Sequence, residues 1–451
     1  MPAQTWNSNL QLLEFPAFAA TRASRIPRQV LWMALSAFLL RFALIFILRT
    51  YIVPPVINPP SPVGPHFYFG FETGSIAASI ATGHGFASPF GTQTGPTAWI
   101  GPVYPYLCAA MFKMLGVFTP ASAVAIFTLN SLFAALTCIP LFLLAERAFG
   151  RRVASWTGWL WALCPLFLRW PITWVWEISL SALLASTLLV AAIQASESRS
   201  LRTAAAFGLL SGVAALTNPS LLTVIAITWL WMCVQRHRAG KHWARAALTS
   251  ALIAAALISP WIVRNHVVFG KPIFIRGNFW FEFALGNYHL SNGMGWGGRH
   301  PTLNPAEFRS YQTLGEVAYV EAKRAQSLEF LRQHPGEFLR LAAQRVLTFW
   351  NGDMYHYQPQ KMWEAPLYAP FSVLALAGLA LALWRGVPLA WLLVVVALLY
   401  PLPYYFTYSQ ARYRHAIEPV LLMASVYLVA EFYRVVARHR ASAEARPAPA
   451  G

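Results

Sequence analysis

Long apolar runs with few charges limit this chain to a membrane fold. Several of these runs reach the roughly 20 residues that an α-helix needs to cross a bilayer. Only 11% of the residues are charged and 57% are hydrophobic, whereas a soluble domain carries roughly twice that charged fraction. We therefore predict an all-α fold, in which a polytopic helical bundle spans the membrane.

The hydropathy pattern predicts about ten spans. They lie near 30–52, 121–145, 153–169, 173–194, 203–217, 219–234, 245–263, 366–384, 388–403 and 416–435. No cleavable signal peptide is expected, because the apolar run that follows Arg28 is too long for a signal-peptide core. The four cysteines fall in apolar segments without metal-type spacing, which indicates packing roles.

Basic residues near the span ends predict the orientation of the chain. They are the N-terminal arm, Arg147, Arg151, Arg152, Arg199, Arg202, the run 235–245, Arg385 and the tail from Arg434 to Arg446. The positive-inside rule makes their side cytoplasmic, which puts both termini inside and residues 53–120 outside. We expect the protein in a plasma membrane, the inner membrane of a bacterium. The net charge of +18 is spread over the loops and does not form the basic face that nucleic-acid binding requires.

These patterns divide the chain into five parts. A basic cytoplasmic arm (1–29) precedes an N-terminal membrane domain (30–263), which contains the first outer loop, 53–120. An outer loop and helical region (264–365) follows, and then the C-terminal spans (366–435) and a disordered cytoplasmic tail (436–451).

The two long outer segments carry local helix signals. A short helix is expected after Glu72, and Gly83 and Gly85 should end it. Residues 102–116 are apolar but short for a span, so we predict a helix in the membrane interface; if it crosses instead, the later orientations change. Asn304-Pro-Ala-Glu307 has a helix cap, a first-turn proline and an acidic third position, which predicts a helix to about Gln333. Pro335 should start a second helix that ends near Trp350.

Glu72 is the only charged residue between Arg49 and Lys113. A carboxylate among aromatic residues and glycines beside a membrane is costly to keep ionised. We therefore expect Glu72 to have a functional role. The structural alternative is a helix N-terminal carboxylate that the helix dipole favours. Glu177, at the outer end of a span, is the candidate second acid; an arginine pair or bonds to tryptophan N–H groups would explain it structurally. Asp353 is the only aspartate.

Four arginines stand at the outer mouths of later spans: Arg264, Arg276, Arg412 and Arg414. Guanidinium groups suit bidentate phosphate binding, and the phosphate at a membrane surface belongs to a lipid. The alternatives are headgroup anchoring and exposed loop charge. In the run 274–287, aromatic rings alternate with Glu282, Asn287 and other polar groups, a combination that suits sugar rings, although a buried turn would also explain it.

At these residues the chain resembles the GT-C superfamily of integral-membrane glycosyltransferases, in the branch of the protein O-mannosyltransferases and the lipid A aminoarabinose transferase. The similarity rests on the first-loop acid followed by the run 77–86, on 102–107, on 260–265 with 286–287, and on 412–419 before the last span. It covers about residues 30–435 and depends on the order of these motifs. Three more residues in the matching motifs, His84, Tyr104 and His415, are candidates for contacting sugar or acceptor.

The resemblance implies a polyprenyl-phosphate sugar donor, transfer on the outer face, and Glu72 as catalytic base or acceptor-orienting group. Relatives often carry an acidic pair here, but in this chain a lone Glu is followed by Thr73. No cofactor is therefore assigned and a divalent cation stays open, since such an ion usually takes more than one carboxylate. The expected partners are the lipid-linked sugar, membrane lipid, and a lipid, glycan or protein acceptor. The second hypothesis is a transporter or flippase of a lipid-linked saccharide.

Overall fold

The computed structural model of the protein describes residues 27–52, 69–289, 291, 298–352 and 365–444. Within these ranges the regular structure is helical, and the extended pairing is one antiparallel bridge between Ala87 and Pro96. The predicted all-α class is confirmed. Asp353 lies outside the described residues, as do the proline-rich start of the first loop, residues 1–26 and residues 445–451.

The helices are numbered in chain order. Those of the first half are α1 (Arg28–Ile47), α2 (Glu72–Ala81), α3 (Val103–Leu115), α4 (Pro120–Leu136), α5 (Cys138–Phe149), α6 (Arg151–Leu163), α7 (Arg169–Thr173), α8 (Ile178–Glu197) and α9 (Leu201–Thr217). Those of the second half are α10 (Leu222–Arg238), α11 (Trp243–Phe269), α12 (Phe279–Gly286), α13 (Pro305–Gln333), α14 (Pro335–Asn351), α15 (Ala365–Trp384), α16 (Ala390–Leu399), α17 (Leu402–Phe406) and α18 (Glu418–Glu444). Short 3₁₀ turns lie at Pro165–Phe167, Pro219–Leu221 and Ala411–Ala416.

Within the described part of the chain, six helical segments are long and apolar enough to cross a membrane, by length and composition. They are Arg28–Ile47, Pro120–Phe149, Ile178–Glu197, Trp243–Phe269, Pro366–Trp384 and Glu418–Arg440. Each coincides with one of the ten predicted spans. The other four predicted spans fall on shorter helices, of which α6 and α16 end just before Pro165 and Pro401, where a proline interrupts the apolar run. The chain is a polytopic helical membrane protein.

Small residues let the long helices pack closely in the bundle. A Cβ added at Gly208 of α9 would lie 2.4 Å from the Ser250 carbonyl oxygen of α11. One added at Gly378 of α15 would lie 2.1 Å from the Ala424 carbonyl oxygen of α18. Because helices in lipid associate mainly through close packing, larger residues at these two contacts would push the helix pairs apart.

Arg41, buried in the middle of α1, fastens that helix to the end of α6. Its guanidinium donates to the carbonyl oxygens of Trp161 and Ala162, at 3.0 and 2.9 Å, and to that of Phe167 at 3.1 Å. These carbonyls lie where α6 ends and the 3₁₀ turn begins, so no continuing helix is there to pair them. A charged residue inside an apolar helix therefore serves here as a cap for its neighbour.

The helices of the two long loops begin and end close to the predicted residues. Helix α2 begins at Glu72. Helix α13 begins at Pro305, and Asn304 Oδ1 accepts from the Ala306 N–H at 2.8 Å. Helix α14 begins at Pro335, as predicted. Within α13 the sequence pattern missed a break at Gly315, whose φ of 73° lies in the region that favours glycine.

Arg345 on α14 holds this helix against two other parts of the chain. Its buried guanidinium donates to the Tyr405 and Gly286 carbonyl oxygens at 2.9 and 2.8 Å, and to the Asn287 side-chain oxygen at 2.6 Å. Helix α14 is thereby joined to the end of α12 and to α17. Arg340, one turn earlier on the same helix, is exposed and pairs with Glu337 at 3.6 Å.

We expect Arg345→Met to destabilise the protein, because it leaves the Tyr405 carbonyl and the Asn287 amide oxygen without this donor, at about 1–3 kcal/mol each. The melting temperature of the protein in detergent should fall by roughly 5 °C. Arg340→Met is the matched control and should melt with the wild type. Equal melting of the two variants would contradict the anchoring role of Arg345.

Candidate active site

Glu72 is held in place by a tight turn that precedes α2. Gly70 has a φ of 80°, and a Cβ there would lie 2.0 Å from the Val175 carbonyl oxygen. The next residue, Phe71, has a φ of 45°, an uncommon value for a residue with a side chain. The Trp176 indole N–H donates to the Gly70 carbonyl at 3.0 Å. This turn therefore fixes Glu72 beside the segment that carries Glu177.

The Glu72 carboxylate is buried and bound to a histidine that sequence reasoning missed. His300 Nε2 lies 2.9 Å from Glu72 Oε1, across 228 residues of sequence. The backbone N–H of Thr302 donates to His300 Nδ1 at 3.1 Å, so this nitrogen is an acceptor and Nε2 carries the hydrogen. The rings of Phe71, Phe90 and Phe281 surround the imidazole, with centroids 6.4, 5.7 and 5.4 Å away.

Two opposing effects set the pKa of Glu72. Burial is the largest effect and raises the pKa, because it disfavours the charged form. The hydrogen bond from His300 and the positive charge of Arg276 act in the other direction, and the net result is a pKa below the usual carboxyl range. Glu72 is therefore ionised near neutral pH despite its buried position.

A cavity of about 360 Å³ is lined by Glu177 and by Trp176, which bonds the turn before Glu72, but Glu72 itself does not line it. Among the residues that line it are Trp176, Glu177, Ser181, Asn218, Ser220, Arg276, Asn278, Phe279, Glu282, Tyr404, Tyr408, Arg412 and Tyr413. They come from the start of α8 and the residues before it, the turn after α9, α12 and the segment that leads into it, and α17 and the segment between α17 and α18. The cavity thus brings together two acids, Glu177 and Glu282, and two arginines, Arg276 and Arg412, that the sequence singled out separately.

The two cavity arginines are held by different partners. The Arg276 guanidinium pairs with Glu282 and also contacts Asn278 Oδ1. That of Arg412 lies 3.6 Å from the centre of the Trp176 ring and donates to the Tyr413 hydroxyl at 3.3 Å. A cation over a tryptophan face is stabilised by the ring quadrupole. Both positive charges are thus fixed on the cavity wall.

Glu177 has the opposite electrostatic setting to Glu72. Burial raises the pKa of the Glu177 carboxyl; Arg276 and Arg412 oppose this shift and the Glu72 charge adds to it. The net pKa lies above the usual carboxyl range. The site therefore holds two acids whose surroundings move their pKa values apart.

Two arginines predicted to bind phosphate are bonded elsewhere and do not line the described cavity. Arg264 donates to the Thr97 and Phe86 carbonyl oxygens at 2.7 and 2.9 Å. Arg414 donates to the Trp350 carbonyl at 3.1 Å and to Ser372 Oγ at 2.6 Å. The phosphate-binding role of all four arginines stays a prediction, but only Arg276 and Arg412 are brought together at this cavity.

The sugar and acceptor candidates are also divided. Glu282 lines the cavity. Asn287 donates to the Phe406 carbonyl at 2.8 Å, and His415 Nδ1 lies 2.5 Å from Glu418 Oε2 in the bundle interior. The Tyr104 hydroxyl donates to Asn130 Oδ1 at 2.8 Å, and His84 is exposed beside Thr82. Only Glu282 of these five is placed where a ligand in the cavity would touch it.

A further buried acid, Glu316, holds the first loop and α13 together. Its carboxylate accepts from the Thr97 hydroxyl, from the Ala98 N–H at 2.7 Å and from the Tyr311 hydroxyl at 2.9 Å. Sequence reasoning did not single it out, although the helix-breaking Gly315 beside it was a local signal. Among the described residues, the carboxylates around the cavity do not gather into a three-ligand metal site.

Comparison with solved structures gives the fold. The chain superposes on the archaeal oligosaccharyltransferase AglB from Archaeoglobus fulgidus, in complex with an inhibitory peptide and a dolichol-phosphate, with a TM-score of 0.51 and 14% identity. This match covers 93% of the chain but 52% of AglB, so the chain spans about half of that enzyme. The apo form of the same enzyme gives a TM-score of 0.51 at 15% identity, covering 94% of this chain and 52% of AglB.

A weaker likeness is to ArnT from Cupriavidus metallidurans bound to undecaprenyl phosphate. Its TM-score is 0.40 at 16% identity, covering 88% of this chain and 77% of ArnT, too low to add weight to the assignment. No protein-family model matches the chain, and no curated protein sequence matches it. The chain is a polytopic helical membrane protein that is similar in fold, at low identity, to the Archaeoglobus fulgidus oligosaccharyltransferase.

Proposed function

We propose that the protein is a membrane glycosyltransferase that moves a sugar from a polyprenyl-phosphate donor to an acceptor hydroxyl on the outer face of the membrane. The observation that carries this proposal is the cavity lined by Arg276, Arg412 and Glu177, together with the charge of Arg276 acting on the Glu72 carboxyl, which does not itself line the cavity. AglB, similar in fold, has been solved with dolichol-phosphate and a peptide, which supports a lipid-phosphate donor here.

Arg276 and Arg412 are the proposed contacts of the donor phosphate. When the bond between the sugar anomeric carbon and the phosphate oxygen breaks, the electron pair stays on the lipid phosphate. Fixed positive groups that face this growing charge lower the barrier, since they need no reorganisation during the reaction. The stacking of Arg412 on Trp176, at 3.6 Å, provides such a fixed position.

Glu72 is the proposed base. The acceptor hydroxyl must lose its proton as its oxygen bonds to the anomeric carbon, and a base has to be ionised before that step. His300 keeps Glu72 in this form, whereas burial favours the protonated form of Glu177. Glu177 is therefore assigned as the second acid of the cavity wall, where it can donate a hydrogen bond to donor or acceptor.

We expect Glu72→Gln to lower transfer by about 10²–10⁴-fold, the usual contribution of a general base, without changing the melting temperature strongly. The assay supplies synthetic polyprenyl-phosphate sugars and membrane extract, and quantifies free polyprenyl phosphate. Glu177→Gln, which imitates a protonated acid, should lose less activity. If Glu177→Gln loses more transfer activity than Glu72→Gln, the base is Glu177 instead of Glu72.

The pH profile of transfer should depend on His300. In the wild type, activity is full at neutral pH and falls only as pH drops through the lowered pKa of Glu72. His300→Phe removes the hydrogen bond, which leaves burial opposed more weakly, by Arg276 and a backbone hydrogen bond, so the acid limb should move to higher pH. His300→Gln keeps an N–H donor and should shift the limb less. If the three proteins have identical acid limbs, His300 does not control the ionisation of Glu72.

Arg276→Gln and Arg412→Gln should each raise the KM for the lipid-linked donor by about 10-fold or more, since a hydrogen bond to a charged group is worth about 1.5–3 kcal/mol. Arg309→Gln, at an exposed position of α13, is the control and should leave the KM unchanged. An unchanged donor KM in both cavity variants would place the phosphate elsewhere.

A flippase for a lipid-linked saccharide is the second candidate. The apolar bundle and the cavity lined by Arg276 and Arg412, which suits a phosphate, would serve this function too. A flippase would move the donor intact and release no free polyprenyl phosphate. The assay above therefore distinguishes the two functions, because wild-type protein that moves lipid-linked sugar in liposomes without releasing the phosphate would exclude the transferase.

A further inference from the structure

Three metal-ligand side chains meet at a second place, outside the cavity. They are His289, three residues after the end of α12, His334, just before α14, and Glu337 in the first turn of α14. Their nearest ligand atoms all lie within 4.8 Å of one another. None of the three lines the cavity. We propose that they form a binding site for a divalent transition-metal ion of the zinc type.

The distances suit a shared ion. His289 Nδ1 lies 3.3 Å from Glu337 Oε2, close to the roughly 3.4 Å between two ligand atoms that are both bonded tetrahedrally to zinc at about 2.0–2.1 Å. The His289 and His334 ring centroids are 5.3 Å apart, and two imidazoles on one tetrahedral zinc have centroids roughly 5 Å apart. Small side-chain rotations would bring the three ligand atoms to bonding distance of one ion.

The chemistry of the donor set selects the class of metal. Two imidazole nitrogens and one carboxylate oxygen suit zinc and its neighbours, whereas calcium and magnesium prefer sites made of oxygen ligands. Three protein ligands leave a position for water. His289 is exposed, so an ion can enter from solvent. The other Glu337 oxygen lies 3.6 Å from Arg340, which leaves Oε2 directed at His289.

The surrounding structure orients two of the ligands. His334 precedes Pro335, which fixes the start of α14, and its ring packs on Phe330 of α13 with centroids 5.6 Å apart. Glu337 follows three residues later, so both side chains project from the same helix start. Only His289 comes from another part of the chain. An ion bound here would therefore join the end of α12 to α14.

The bound ion would lie next to an existing contact between the same two segments. Asn287, two residues before His289, accepts from Arg345 of α14 at 2.6 Å. The metal would add a second bond between the same two segments and stabilise their packing. Because its ligands do not touch the cavity, the ion is assigned a structural role, which holds whether or not the chain transfers sugars.

The alternative is a surface ion pair between His289 and Glu337. An exposed pair of this kind contributes little to stability and needs no third ligand. His334 distinguishes the two interpretations, because the ion pair does not include it whereas the metal site requires it.

The test is zinc titration of detergent-purified protein without a polyhistidine tag, after EDTA treatment and removal of the chelator. We expect one tight Zn²⁺ per wild-type chain and a rise in melting temperature on binding. His334→Ala, His289→Ala and Glu337→Gln should each weaken zinc affinity by about 10-fold or more and abolish the rise. His266→Ala, which removes an exposed histidine at the end of α11, should bind zinc as the wild type does.

Co²⁺ provides a second readout, since its visible absorption reports nitrogen and oxygen ligands in a tetrahedral arrangement. The wild type should show this spectrum and His334→Ala should lose it. The proposal is overturned if the wild type takes up no tight Zn²⁺, or if His334→Ala keeps the full affinity for zinc and the Co²⁺ spectrum.

Discussion

The hydrogen bond between His300 and Glu72 is the contact on which the site depends. It is the largest of the effects that oppose burial and lower the pKa of Glu72. The bond needs the imidazole in one orientation, which the Thr302 N–H and three phenylalanine rings supply. The turn before α2, the first loop, α12 and the segment before α13 therefore all converge on a single carboxylate. A lone acid can stay charged in this apolar setting because several distant parts of the chain are built around it.

The arginines near this end of the bundle fall into two groups. Arg264 and Arg345 donate mainly to backbone carbonyl oxygens, and Arg414 donates to the Trp350 carbonyl, the Ser372 hydroxyl and Glu418. Arg276 and Arg412 face the cavity and are held by an acid or by aromatic rings. Arg412 and Arg414 are two residues apart but belong to different groups, because they lie in a 3₁₀ turn, where three residues complete a turn and positions i and i+2 point in different directions.

Local signals predicted local structure well. Asn304 and Pro335 mark the starts of α13 and α14, and the apolar runs gave the helices of the bundle in order. Hydropathy counts apolar residues but does not detect breaks in a helix, so it predicts full spans for the runs that contain Pro165, Pro219 or Pro401. The partners of Glu72 and Glu316 were not predictable, since His300 and Thr97 lie more than 200 residues away and carry no pattern that pairs them with an acid. The sequence shows which residues are charged, but only the folded structure shows which of them are in contact.

The opposite pKa shifts of Glu72 and Glu177 set the charge of the cavity. The ionised Glu72 itself raises the pKa of Glu177, because two nearby carboxylates cannot both ionise cheaply. Glu282 already pairs with Arg276. The raised pKa of Glu177 reduces the negative charge that this side chain places beside Arg276 and Arg412 at a given pH, whereas the lowered pKa of Glu72 keeps that carboxylate a hydrogen-bond acceptor. In the proposed reaction, the first effect favours an anionic lipid phosphate in the cavity, and the second suits Glu72 to receive the acceptor proton. The two acids are therefore suited to different tasks because their surroundings move their pKa values in opposite directions.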